Sequence, residues 1–186
     1  MSDRVAAQTQ QTADVGRRLE MHAHEMTSRM TFASAKKGAL RSVQRAAGKG
    51  TKIMANVDRH GLPVAVHVAS VSPYEPHLVP ATLDARFFAD LPTRLIGDRG
   101  YDSDRLDDTL MTTYGLEMIA AHRRGRARTQ DGRPLRRVRR RWKVERFFAW
   151  LHHSRRAVTR WEYHVDNFLG MIQLACARML LRAFRR

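Results

Sequence analysis

The sequence predicts an α/β domain, because short β-type runs alternate with amphipathic helical segments along the chain. The chain has 186 residues, 43% of them hydrophobic, which suits one domain with a buried core better than two. The same composition argues against a wholly disordered basic tail. The longest apolar run, residues 168–181, contains Gln173 and Arg178. It is shorter than the roughly 20 residues of a bilayer span, so we expect a buried or amphipathic helix and no membrane partner.

A β-hairpin is predicted first along the chain. Residues 52–58 and 62–69 are β-type runs, and the Arg-His-Gly turn at residues 59–61 joins them. The short apolar runs at residues 94–97 and 116–121 are predicted as buried strands.

Hydrophobic spacing predicts four helices. They cover residues 80–91, a segment that starts at Asp102 or Ser103, residues 141–153 and residues 166–185. The third has the clearest apolar stripe, at Val144, Phe147, Phe148 and Leu151. Residues 1–28 show little apolar periodicity, so we expect them to be frayed or loosely helical. Three glycines in the basic stretch of residues 36–52 suggest a mobile loop.

Positive charge is concentrated in one segment. The formal net charge is +16, and residues 122–160 contain 15 Lys or Arg against two acids. Arginine predominates, and its guanidinium fork suits phosphate oxygens. We therefore expect a nucleic-acid partner, with a membrane surface and a merely solvated face as the weaker alternatives. The candidate DNA-binding residues are Arg136, Arg137, Arg139, Arg140, Lys143, Arg146, Lys36 and Lys37.

Two acids are the candidate chemical groups. Asp98 directly follows a predicted strand, where open α/β sheets place their sites, although spacing alone favours a helix-cap or turn role. Glu145 is one of two acids in the most basic segment. It is either an ion-pair partner of the surrounding arginines or a carboxylate that binds a metal ion. The single cysteine, Cys176, lies on an apolar helix face and is expected to be a packed core thiol.

Four motifs carry a family resemblance. They are FASAKKGAL (32–40), GKGTKIMANVDRHGLPVAVHVAS (48–70), LIGDRGYDSDRL (95–106) and RRRWKVERFFAWL (139–151). Together they resemble bacterial insertion-sequence transposases of the DDE type, in the superfamily of the IS-four and IS-five groups. The likeness runs from about residue 31 to residue 184.

The resemblance implies a ribonuclease-H-like mixed sheet flanked by helices. It also implies metal-dependent DNA cleavage and strand transfer, with Mg²⁺ or Mn²⁺ held by three acids. Expected partners are the element ends, target DNA and further copies of the chain, in the bacterial cytoplasm near the nucleoid. Asp98 matches the second acid, Glu145 the third, and Arg141 a basic residue near the scissile phosphate. Val138 and His152 depart from the tyrosine and lysine of the fullest signature.

The first acid is replaced. Its position falls on Arg29, and residues 14–28 lack the expected apolar β-run. Glu20 and Glu25 are poor substitutes. We therefore expect a sheet incomplete at its first strand, an unrelated segment at residues 1–28 and a partial catalytic domain at residues 29–186, as in an N-terminally truncated protein.

Three functions follow from the sequence. The first is a transposase that cuts and joins DNA, and the second is an inactive derivative that only binds DNA. The third, a structural basic protein, is the weakest.

Overall fold

A mixed β-sheet forms the centre of the computed structural model, which describes residues 25–35, 43–45, 48–125, 139 and 141–185. Its strands are β1 (Met26–Ala35), β2 (Val43–Arg45), β3 (Gly48–Asp58), β4 (Pro63–Ser70), β5 (Arg94–Ile96), β6 (Glu117–Ile119) and β7 (Thr159–Arg160). The helices are α1 (Glu75–Asp84), α2 (Asp104–Tyr114), α3 (Trp142–His152), α4 (Arg155–Val158) and α5 (Val165–Phe184).

The strand order is that of a ribonuclease-H-like sheet. β3 pairs antiparallel with β4 on one edge and with β1 on the other. The short strand β2 pairs antiparallel with the first residues of β3, on the same edge as β4. Beyond β1, the strands β5 and β6 pair in parallel. The predicted mixed sheet flanked by helices is therefore confirmed.

β1 corrects two predictions. The sheet is not incomplete at its first strand, because β1 is a ten-residue central strand bonded to β3 from Met26 to Ser34 and to β5. Residues 26–28, predicted as frayed or loosely helical, lie within it, three residues before the expected domain start. Its sequence hides the strand because buried Thr27 and Ser28 interrupt the apolar pattern, and tertiary pairing overrides that weak local signal. Residues 1–24 lie outside the described residues.

The predicted hairpin is confirmed. Asp58 Oδ1 accepts hydrogen bonds from the backbone N–H groups of His60 and Leu62, each at 2.8 Å. Gly61 completes the turn at φ 82°, a left-handed conformation that favours glycine. The mobile loop predicted for the basic stretch of residues 36–52 is wrong in two places. Residues 43–45 form β2, and residues 48–52 begin β3, where they gain ladder hydrogen bonds.

The first predicted helix is displaced. α1 begins at Glu75 rather than residue 80, because Pro76 fits a first turn that needs no backbone donor. It ends at Asp84 because Phe87 N–H donates to the Val64 carbonyl at 2.8 Å, which draws the chain to the edge of β4. The other predicted strands and helices appear within a few residues of their expected bounds.

The core lies on both faces of the sheet. One face packs against α3 and α5 through buried residues that include Ile53, Val57, Val144, Phe147, Leu151, Phe168 and Ile172. The opposite face packs against α1 and α2 through Met26, Met54, Leu78, Leu83, Leu95, Leu106 and Leu110.

Cys176 is buried among the core residues that pack against α3 and α5, as predicted, and burial raises its pKa to about 12. Among the described residues, no helix has the length and apolarity needed to cross a membrane.

A buried arginine joins the sheet to the segment that precedes the last helix. Arg160 in β7 is fully buried, next to the end of β1. Its guanidinium donates to the Glu162 carbonyl at 3.0 Å, to Thr51 Oγ1 at 3.2 Å and to the Tyr163 carbonyl at 2.7 Å. Three acceptors on two segments are therefore satisfied by one side chain.

We expect Arg160→Met to lower the free energy of unfolding by about 2–4 kcal/mol, because one buried and two part-buried acceptors lose their donor. Urea denaturation measures the change. Arg155→Met, at an exposed arginine of α4, is the matched control and should change stability by less than about 0.5 kcal/mol. Equal effects of the two substitutions would contradict this role.

Asp107 in α2 makes stability depend on pH. Burial, followed by the charges of Asp102 and Asp108, raises the pKa of Asp107 to about 6. Its folded pKa lies above its ordinary value, so folding favours the protonated form. The stabilisation that protonated Asp107 gives the folded state is fully present below about pH 4 and is lost as the pH rises through 6. We expect Asp107→Asn to raise the melting temperature relative to wild type more at pH 8 than at pH 4.5. An equal difference at both pH values would contradict the assignment.

Candidate active site

Of the three positions matched to the acids, residues 29 and 145 are in direct contact, and residue 98 follows the strand that pairs with β1. β1 and β5 run parallel with Thr27 opposite Ile96. Arg29 lies two residues beyond Thr27 in β1, and Asp98 lies two residues beyond Ile96, in the turn that follows β5. Glu145 lies in the first turn of α3, and its carboxylate accepts a hydrogen bond from Arg29 Nη1 in an ion pair.

The Arg29–Glu145 pair is partly open to solvent, with side-chain exposures of 35% and 50%. Ion pairs of this exposure contribute little to stability, typically about 0–1 kcal/mol. The main effect of the pair is therefore local, because it places a fixed positive charge directly against the Glu145 carboxylate.

Asp98 is held by the turn that follows β5. It precedes a short 3-10 helix, Arg99–Tyr101, and its Oδ1 accepts a hydrogen bond from Gly100 N–H at 2.8 Å. The two glycines of this motif are needed for close packing. A Cβ at Gly97 would lie 2.8 Å from the Tyr101 ring, and one at Gly100 would lie 2.9 Å from Asp98 Oδ1. The cap interpretation of Asp98 is thus correct for its local geometry, and it leaves the carboxylate at the sheet edge.

A cavity opens beside Asp98, with a volume of about 650 Å³. Its lining residues are Tyr74, Glu75, Pro76, Asp98, Arg99, Gly100, Ala121 and Arg141. Arg141, predicted near a phosphate, therefore reaches the same space as Asp98. Its Nε is buried without a hydrogen-bond partner in the described part of the chain. Such a donor suits a phosphate oxygen.

Glu75 is the site residue that the sequence did not reveal. Burial raises the pKa of Glu75, the charge of Asp98 raises it further, and Lys52 and Arg29 act in the opposite direction. Glu75 is therefore close enough to sense both Asp98 and Arg29. Glu75 immediately precedes Pro76, and this pair could have indicated a helix start at Glu75. The helix was predicted to start at residue 80, so Glu75 was not placed near the site.

Arg123 fixes the loop that carries Asp98. Its side chain donates to the carbonyls of Gly100 at 2.8 Å and Arg99 at 3.2 Å, and also to the Tyr74 hydroxyl. Its backbone N–H donates to Asp102 Oδ2 at 2.8 Å. Asp102 of the GYDSD sequence is thus a buried structural acid.

The predicted DNA-binding residues differ in their exposure and contacts. Arg139 is exposed and Lys143 is half-buried. Arg146 donates to the His60 carbonyl and lies between two indole rings, 4.8 Å from that of Trp142 and 5.0 Å from that of Trp150. Lys36, Lys37, Arg136, Arg137 and Arg140 lie outside the described residues.

The residues present do not fit a two-metal centre. Within the described ranges, no group of three or more His, Cys, Asp or Glu side chains is placed to hold a metal ion. Glu145 is paired with a guanidinium, and the position matched to the first acid supplies that guanidinium. Arg29 would repel a divalent cation at this point, so the expected Mg²⁺ or Mn²⁺ site is not formed by these side chains.

A protein of Burkholderia cepacia, assigned as a transposase for insertion sequence element IS402, is 38% identical over 95 residues. That match covers 51% of this chain and 42% of the relative, so the chain matches less than half of the relative's length. The catalytic core domain of BIV integrase aligns with a TM-score of 0.40 and 14% identity, over 83% of this chain and 81% of that one.

A family model for the transposase DDE domain matches residues 26–180. The match begins at the first residue of β1 and ends within α5, so it covers the sheet, Arg29, Asp98, Glu145 and the flanking helices. The chain belongs to the family of transposases with a DDE domain, and its sequence resemblance to insertion-sequence transposases is confirmed.

Proposed function

We propose that this protein acts in DNA transposition by binding the element ends and target DNA, with the DNA backbone across the cavity that Asp98, Arg99 and Arg141 line. The proposal is supported by the ion pair of Arg29 with Glu145 and by the position of Asp98 directly after β5, the strand that pairs with β1. Arg141 lines the same cavity as Asp98. The net charge of +16 supports a polyanionic partner. In this proposal Asp98 and Glu145 face the phosphodiester, and Arg141 contacts a phosphate oxygen.

Cleavage and strand transfer require an activated oxygen nucleophile and a stabilised leaving oxygen, which two metal ions supply in such sites. The Arg29–Glu145 pair does not fit those ions. It favours the second function predicted from the sequence, in which the chain binds DNA without cutting it. In this proposal, metal-dependent cleavage at this site requires an acid at position 29 in place of Arg29.

Arg29→Asp tests this assignment. We expect the variant to nick supercoiled DNA with Mg²⁺ or Mn²⁺, because it frees Glu145 and adds a third carboxylate at position 29. Wild type should not nick. Adding Asp98→Ala or Glu145→Ala to the variant should abolish the activity, measured by gel analysis of the plasmid forms.

The control is Arg105→Asp, which makes the same charge change at an exposed residue of α2 and should leave the protein unable to nick. Mn²⁺ binding, followed by electron paramagnetic resonance, separates failure to bind metal from failure to cut. Nicking by wild type that depends on both Asp98 and Glu145 would contradict binding without cutting.

DNA binding itself should depend steeply on salt. We expect wild type to bind a short duplex at low salt, with log K falling linearly against log salt concentration as counterions are released. Arg141→Gln should lower that slope by about 1, since one phosphate contact is lost. Arg94→Gln, at the opposite end of β5 and paired with Glu117, should leave the slope unchanged. Fluorescence anisotropy measures both, and absence of binding at low salt would contradict the proposed function.

A further inference from the structure

We propose that a second cavity, between the β3–β4 turn and the C-terminal halves of α3 and α5, binds one unpaired nucleotide of a DNA strand. The proposal rests on the proposed DNA-binding function and gives it a second contact point. The cavity measures about 390 Å³, within the range of about 300–1,000 Å³ typical of small-ligand sites. It does not include Asp98, Glu145 or Arg141.

The walls of this nucleotide cavity are apolar and aromatic. Leu62 comes from the hairpin turn, Met179 and Ala183 come from α5, and Trp150 forms the aromatic side. Trp150 is 38% exposed although it is a large apolar side chain. An exposed indole beside a cavity is suited to stacking on a base, since every base presents a π-face.

The Trp150 ring is held in place before any ligand arrives. The Arg146 guanidinium lies 5.0 Å from its centre and 4.8 Å from the centre of the Trp142 ring, so it stacks between the two indoles. Arg146 is itself fixed by its hydrogen bond to the His60 carbonyl in the hairpin turn. A ring that is already ordered loses little conformational entropy on stacking, which favours binding.

Charge identifies the ligand as anionic. Arg178, Arg182 and His153 also line the cavity, and its lining within the described chain includes no carboxylate. Arg178 Nη2 donates to Ser154 Oγ at 3.1 Å, which orients this guanidinium at the surface. Cationic groups around an apolar, aromatic wall match a nucleotide, whose base is flat and apolar on its faces and whose phosphate is charged.

The ligand is an unpaired nucleotide because bases inside a duplex have both faces covered by their neighbours. Trp150 and Glu145 are on the same helix, five residues apart, which is about 7.5 Å along its axis. Five residues also turn the helix by about 140°, so Trp150 and Glu145 lie on different sides of α3. A DNA strand that reaches the candidate active site enters the cavity by continuing around α3, with an unstacked nucleotide at its end.

The experiment compares two labelled DNAs by fluorescence anisotropy with the full chain. One is a blunt duplex, and the other is the same duplex with a three-nucleotide single-stranded end. We expect about tenfold tighter binding of the second DNA by wild type, in the range of one base–aromatic stack. Trp150→Ala should remove this preference and leave blunt-duplex affinity unchanged. Arg182→Gln should reduce it.

Trp142→Ala is the matched control, because it also removes one indole from Arg146 but does not line the cavity. It should keep the preference, as should Trp161→Ala at an exposed tryptophan of the α4–α5 connection. If Trp150→Ala fails to fold by circular dichroism, Arg182→Gln and quenching of wild-type tryptophan fluorescence by the overhang carry the test.

Three results would overturn the proposal. Equal binding of the two DNAs by wild type overturns the nucleotide cavity alone and leaves the proposed DNA binding intact. Binding of neither DNA at low salt overturns both. Loss of a dimer in sedimentation when Trp150 is replaced, with the overhang preference unchanged, would show that a second copy of the chain covers the cavity instead.

Discussion

The short parallel ladder between β1 and β5 determines the geometry of the candidate active site. Only two residue pairs form it, yet it fixes the register of the strand that carries residue 29 against the strand that leads into residue 98. The antiparallel ladder on the other side of β1 extends over nine pairs, so the strand has little freedom to shift. A shift of one residue would turn Arg29 to the opposite face of the sheet and separate it from Glu145.

Given that register, one side chain determines what the site can do. A carboxylate at position 29 would leave three acids whose mutual repulsion a divalent cation relieves. A guanidinium at the same position relieves the repulsion itself, by pairing with Glu145. The arrangement is electrostatically balanced without a metal, which explains how the fold tolerates the exchange even though the chemistry changes.

The sequence predicted the hairpin, α3 and α5 well because their apolar residues repeat with the period of the element. Val144, Phe147 and Leu151 face the core as expected. It missed β1 because a central strand is stabilised by neighbours on both sides, and Ser28 and Thr27 gave no alternation to detect. Asp98 and Glu145 came from motifs, whereas Glu75 could only be found once α1 was seen to begin next to them. The contact between Arg29 and Glu145 joins residues 116 positions apart and has no local signal.

The Arg123 network has a mechanical consequence. Its backbone is bonded to Asp102 and its guanidinium to the carbonyls of Gly100 and Arg99, so the end of the β6 segment and the Asp98 turn move as one unit. Arg123 also opens the stretch of the chain with the greatest density of arginine. In the DNA-bound state proposed above, a displacement of that stretch would be passed through the hydrogen bonds of Arg123 to the turn that carries Asp98.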